Sequence, residues 1–146
     1  MRRAAVALLL AISAMAGCGA GPSGQGDGPD GGVVSDYASL VDALRAAAAA
    51  VSPAGAVSQP FFDPRGQVLS VDSEDVQVFE FVSAEEADTV TEGISADGSS
   101  IETNMVGWVA PPDFYTAGQL IVIYVGSESG VIGTLQEAMG AQFAER

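Results

Sequence analysis

Apolar residues recur at three- and four-residue intervals in three parts of the chain, a spacing that places them on one face of an α-helix. These parts are residues 35–51, 83–94 and 129–139. The second begins with Ser83 and Glu86 at the spacing of a capping box, in which the two residues satisfy backbone N–H groups at the helix start. The pattern therefore predicts three amphipathic helices.

Shorter apolar or alternating runs, separated by turn-forming residues, predict five extended segments. They are residues 57–62, 67–71, 76–82, 101–109 and 119–126. Residues 110–118, with two prolines and a glycine, are expected to form a loop. The last segment contains a continuous apolar run from Leu120 to Val125. A strand without polar alternation is covered on both faces, so we expect this one at the centre of a sheet.

The order of helix, strands, helix, strands, helix predicts an α+β fold over residues 33–146. The simplest packing is a single two-layer domain, in which an antiparallel sheet carries the helices on one face. A chain of this length is enough for one domain with a genuine core.

Residues 1–17 have the build of a secretory signal, since two arginines precede an apolar run that is too short to span a bilayer. Met15-Ala16-Gly17-Cys18 resembles the lipobox of bacterial lipoproteins, with methionine where leucine is usual. The resemblance implies that Cys18, the only cysteine, is diacylated and becomes the mature N-terminus. The alternative is an ordinary cleaved signal with a spare cysteine nearby.

Residues 18–32 are rich in glycine and contain no large apolar residue, so this segment is expected to be a flexible tether behind the lipidated Cys18. Gly19 is not the aspartate that retains lipoproteins in the inner membrane of many Gram-negative bacteria. We expect an exported protein on the cell membrane or outer membrane, with its domain outside the cytoplasm.

Charge limits the partners of the mature chain. Three arginines stand against nineteen acidic residues, a formal net charge of −16 after removal of the signal. Such a surface repels phosphate backbones and anionic head groups, so we expect no nucleic-acid binding and no membrane attachment except through the N-terminal lipid. The expected partner is a protein or another envelope component, and a homodimer is an alternative.

The chain contains no histidine and no lysine, which limits its chemistry. Histidine- or lysine-activated nucleophiles and the P-loop lysine are excluded, and zinc, copper and haem sites lose their commonest ligand. We expect no cofactor, no metal and no enzymatic activity. The remaining candidate is Glu80, which could serve a small carboxylate-dependent hydrolase with a second acid, or could simply face solvent.

Large apolar side chains concentrate around the pair of adjacent prolines at 111–112, and we take them as candidate partner-binding residues. They are Trp108, Pro111, Pro112, Phe114 and Tyr115. Rigid aromatic residues on loops favour recognition, because they bury much area at a small entropic cost. The alternative is that they plug the end of the sheet.

Several stretches together resemble a group of small bacterial lipoproteins of unknown function. These are Gln59-Pro60-Phe61-Phe62, the strand from Asp75 to Glu80, Ile94-Ser95-Ala96-Asp97-Gly98, and the region from Phe114 to Gly126. The resemblance implies a shared fold and a cell-envelope location, and no catalytic residue. The sequence thus predicts a membrane-anchored, non-enzymatic interaction module, with a dimerising structural subunit and the hydrolase as alternatives.

Overall fold

The computed structural model describes residues 33–145. The helices are α1 (Tyr37–Ala46), α2 (Ala84–Glu92) and α3 (Ser129–Met139). The strands are β1 (Val51–Val57), β2 (Gly66–Val71), β3 (Glu74–Glu80), β4 (Ser100–Ile101), β5 (Asn104–Met105), β6 (Pro112–Ala117), β7 (Leu120–Val125) and β8 (Ala144–Glu145). The predicted signal peptide, Cys18 and the tether lie outside the described residues.

Six strands form one antiparallel sheet in the order β1-β2-β3-β7-β6-β8, and β4 pairs with β5 in a separate hairpin. Tight turns join neighbours, as at Asp72–Ser73 between β2 and β3, where both residues have the positive φ that matches strand twist. β7 lies between β3 and β6, which confirms its prediction as an interior strand. The predicted α+β class with an antiparallel sheet is also confirmed.

Both faces of the sheet bury apolar side chains. On one face Leu40 of α1 and Leu135 of α3 pack with Val78, and we call this cluster the first core. On the opposite face Ala87 of α2 packs in a cluster with Phe79, the second core. The expectation that all helices share one face is therefore wrong for α2. Because the neighbours Val78 and Phe79 point to opposite faces of β3, each face needs its own cover.

The first helix is shorter than predicted, and the first strand begins earlier. α1 ends at Ala46, and Ala48 takes a left-handed φ of 64°. β1 follows at Val51–Val57, where Pro53 and Gly55 indicate a helix stop in the sequence. β1 is an edge strand, and the register shifts between Pro53 and Gly55, a bulge that suits a residue without an N–H. The predicted strand at 57–62 is mostly a turn instead.

The loop predicted at 110–118 contains strand β6. It pairs with β7 along its whole length and with β8 over two residues. Proline is compatible with a strand at its first position, where Pro112 stands, since the missing N–H costs the ladder little there. The strand predicted at 101–109 is reduced to the two-residue strands β4 and β5.

The described chain begins beside the turn between β6 and β7. Val34 is buried in the first core. The Ser35 carbonyl accepts a hydrogen bond of 2.9 Å from the backbone N–H of Gln119. Gly118 has a φ of 56°, and a Cβ at this position would overlap the Ser35 backbone. These contacts fix the start of the domain at one end of the sheet, which we call the N-terminal pole.

We expect Gly118→Ala to lower the free energy of unfolding by about 2 kcal/mol, because alanine would combine a left-handed φ with overlap on the Ser35 backbone. Gly133→Ala is the matched control. It lies within α3 with open space around its Cβ, so alanine should stabilise by about 0.5–1 kcal/mol. Urea unfolding measures both variants, and equal effects would contradict the close approach at Gly118.

Candidate interaction site

Residues 105–111, with the sequence Met-Val-Gly-Trp-Val-Ala-Pro, run without a charged residue from the end of β5 to the start of β6. Exposed and half-buried residues alternate along the segment. Met105 and Val109 are 82% and 98% exposed, and Pro111 is also exposed, whereas Val106 and Trp108 pack against the second core. We call this segment the apolar ridge. Contiguous exposed apolar surface is typical of interaction sites.

Trp108 attaches the ridge to the domain. Its indole Nε1 donates a hydrogen bond of 2.7 Å to the carbonyl of Gly98. Its ring meets Phe114 edge to face at a centroid distance of 5.7 Å and Phe61 at 6.2 Å, a favourable geometry for aromatic pairs. The tryptophan therefore has both its polar and its apolar parts in contact with the domain.

Two backbone hydrogen bonds hold the ridge on either side of Trp108. The Val106 N–H donates to the Ser99 carbonyl at 2.9 Å, and the Pro111 carbonyl accepts from the Gly126 N–H at 3.0 Å. The exposed side chains are thus presented from a backbone that is tied down near both ends. A surface fixed in this way loses little conformational entropy when a partner binds.

The five candidate partner-binding residues divide into two groups. Phe114 and Tyr115 are fully buried on opposite faces of β6, and Pro112 is buried at its start. Trp108 is half-buried and Pro111 is exposed. The surface available to a partner therefore lies at the ridge, and Phe114 supports it from below through its contact with Trp108, whereas Tyr115 faces the other side of the sheet.

Sequence reasoning missed Val109 and Met105, the two most exposed side chains of the ridge. Neither is aromatic, so the search for aromatic clusters passed over them. The signal that could have found them is the uncharged run of apolar residues at 105–111, between Glu102 and Asp113 in a strongly acidic chain.

A fixed negative charge borders the ridge at Asp97. Its Oδ1 accepts hydrogen bonds from the Ser99 hydroxyl at 2.7 Å, the Ser99 N–H at 3.0 Å and the Ser95 hydroxyl at 2.8 Å. These bonds hold the pKa of Asp97 at about 2. The next residue, Gly98, is the acceptor for Trp108. An ionised carboxylate therefore stands beside the ridge at every physiological pH.

Asp113 is the one buried charged residue in the described part of the chain, with 7% of its surface exposed. It pairs with Tyr124 of β7 and Glu145 of β8, so the three residues share one face of the sheet. Burial raises the pKa of Asp113, and the neighbouring Glu145 carboxylate raises it further. Sequence reasoning missed this residue because Pro-Pro-Asp is typical of a loop.

Two tyrosines beside Asp113 differ in their hydrogen bonds. The Tyr124 hydroxyl donates to Glu74 at 3.2 Å and accepts from the Glu128 N–H at 3.1 Å. The Tyr115 hydroxyl is buried without a partner among the residues that the structure describes. Burial, followed by the charges of nearby acids, raises the pKa of Tyr115 to about 12.

Glu80, the candidate for carboxylate chemistry, is exposed at the end of β3. It accepts hydrogen bonds from the Gln119 side chain at 2.6 Å and from the Tyr37 N–H at 3.4 Å. Tyr37 is the first residue of α1, so the carboxylate lies where the helix dipole favours a negative charge. This environment gives Glu80 a structural use at the N-terminal pole.

Among residues 33–145, no group of three or more His, Cys, Asp or Glu side chains could hold a metal ion. None of the helices in that range is long and apolar enough to cross a membrane. In comparisons of the whole chain, no protein-family model, curated protein or solved structure matches it significantly.

We expect Tyr115→Phe to raise the free energy of unfolding by about 1 kcal/mol, because it removes a buried hydroxyl that has no partner among the described residues. Tyr124→Phe makes the same chemical change on the same face, and should destabilise by about 1 kcal/mol because two hydrogen bonds are lost. Urea unfolding of both variants is the measurement. Destabilisation by Tyr115→Phe would mean that its hydroxyl is satisfied.

We expect Asp113→Asn to stabilise the protein at neutral pH and to lose this advantage in acid. The folded-state pKa of Asp113 is raised above the ordinary value of 3.8, so its contribution to stability falls as pH rises from below 3.8 through the raised pKa. Asparagine stays neutral throughout.

The control for this pH profile is Asp63→Asn, at an exposed loop position, which removes the same charge. Unfolding free energies measured from pH 3 to pH 8 should show a larger gain for Asp113→Asn than for the control, confined to the upper part of the range. Parallel profiles for the two variants would contradict the burial effect.

Proposed function

We propose that this protein is a lipid-anchored interaction module of the bacterial cell envelope, without enzymatic activity. In this proposal Cys18 carries the lipid, residues 18–32 form the tether, and the domain that follows binds a protein or another envelope component outside the cytoplasm.

The observation that carries the proposal is the apolar ridge. The described domain has seventeen acidic residues and two arginines, yet residues 105–111 carry no charge and expose Met105, Val109 and Pro111. Apolar side chains in water give no stability to an isolated domain, whereas a partner that covers them gains their burial. Because Trp108 holds the ridge rigidly, we interpret the ridge as a binding surface and not as a mobile loop without a role.

The sequence supports the anchor. The Met15-Ala16-Gly17-Cys18 motif resembles a lipobox, and the strongly acidic mature chain has no basic patch with which to adhere to anionic lipid. Attachment through the lipid alone is consistent with both features.

We expect Cys18→Ser to move the protein from the membrane fraction to the soluble fraction, because the lipid supplies the whole membrane affinity. Fractionation with a high-salt wash, together with metabolic labelling by a fatty acid, measures the effect. Ser23→Ala, a small change in the same predicted tether, is the control and should leave both readouts unchanged. A Cys18→Ser protein that still sediments with membranes after the wash would overturn the anchor.

A further inference from the structure

The apolar ridge and the start of the domain lie at opposite ends of strand β6. Ser35 is held beside Gly118 and Gln119, the turn that follows β6. The ridge ends at Pro111, the residue before β6. Six residues of extended strand correspond to about 17 Å. The ridge therefore joins β6 at the end of the strand opposite the start of the described domain, and from there it crosses the second face of the sheet, where Trp108 contacts Phe61.

The charges beside the ridge favour a cationic partner. Asp97 is exposed next to the residue that accepts the Trp108 hydrogen bond, and the Ser99 carbonyl, two residues beyond Asp97, accepts from the ridge N–H of Val106. The ridge itself is uncharged. An apolar centre with an acidic border attracts a surface of opposite charge and repels a second copy of this acidic chain.

We propose that the ridge binds a segment of a partner protein that combines apolar side chains with lysine or arginine. This inference rests on the proposed function and names its partner chemistry. The apolar side chains of the partner cover Val109 and Met105, while its basic groups lie over Asp97. Trp108 is fixed to the domain by its hydrogen bond to Gly98, so the surface that the partner covers is preformed.

Trp108 is the only tryptophan in the chain, so tryptophan fluorescence reports directly on the ridge. The probe is a tryptophan-free amphipathic peptide of leucine and lysine, titrated into the full-length protein on zwitterionic vesicles. We expect a saturable blue shift of the emission, with an affinity that falls as salt screens the charges. A matched peptide with glutamate in place of lysine should bind at least about tenfold more weakly. Equal binding of the two peptides would overturn the proposed partner chemistry.

Val109→Asp and Val82→Asp form a matched pair that tests the location. Both valines are highly exposed, 98% and 90%, and each substitution adds one negative charge. Val82 lies at the N-terminal pole, because the residue before it, Phe81, donates its backbone N–H to the Gln119 carbonyl. We expect Val109→Asp to weaken peptide binding about tenfold or more, as loss of a central apolar contact does, and Val82→Asp to change it less than about twofold. Some of the amphipathic peptide will bind to the vesicles themselves, but this lowers the free peptide concentration equally for all variants, so the comparison between them holds.

Equal effects of the two substitutions would mean diffuse charge attraction and would overturn the ridge as the site. Photo-crosslinking in native membranes separates this failure from failure of the proposed function. If crosslinked adducts form from position 82 and not from position 109, the protein would still be an interaction module, but the ridge would not be its binding site. The anchor is judged independently, because the peptide titration does not depend on how the protein reaches the vesicle.

Discussion

The burial of strand β7 on both faces is the constraint on which the rest of the fold depends. Ile121 and Ile123 enter the second core, while Val122 enters the first. A strand that is apolar on both sides must be covered on both sides, so α1 and α3 close one face and α2, with the β4–β5 hairpin, closes the other. The three helices are therefore placed by the core that each of them closes.

The apolar ridge depends on the second of these cores. Phe114 is buried against the sheet, and Trp108 packs edge to face on Phe114. The ridge therefore shares contacts with the core below it. The two ends of β6 have different surroundings: a tight glycine turn and the Glu80 carboxylate at one end, and the edge-to-face pair of Trp108 and Phe114 toward the other.

Local patterns in the sequence predict the parts of this fold whose burial is simple. The continuous apolar run of β7 indicates a strand buried on both faces, and the apolar spacing of α3 indicates a helix with one buried face. Both elements lie where they were expected. β1 and β6 could not be found in this way. Pro53 and Gly55 within β1, and Pro112 and Asp113 at the start of β6, are residue types that indicate loops. Pairing with neighbouring strands overrides that local preference. The edge strand β1 accommodates its proline at a bulge, and β6 accommodates Pro112 at its first position. The same limit applies to the ridge, because exposure of Val109 depends on which side of an irregular segment meets the core.

Under the proposed lipid anchor, the edge strands of the sheet have a consequence for neighbouring copies on one membrane. Neighbouring domains on a membrane meet often, and an unprotected sheet edge would let them pair strand to strand into fibres. Here one edge is β1, interrupted by Pro53 and the bulge, and the other is β8, which contributes only two residues to the ladder. Neither edge offers a long, regular template, so copies anchored as proposed would remain separate with their ridges accessible.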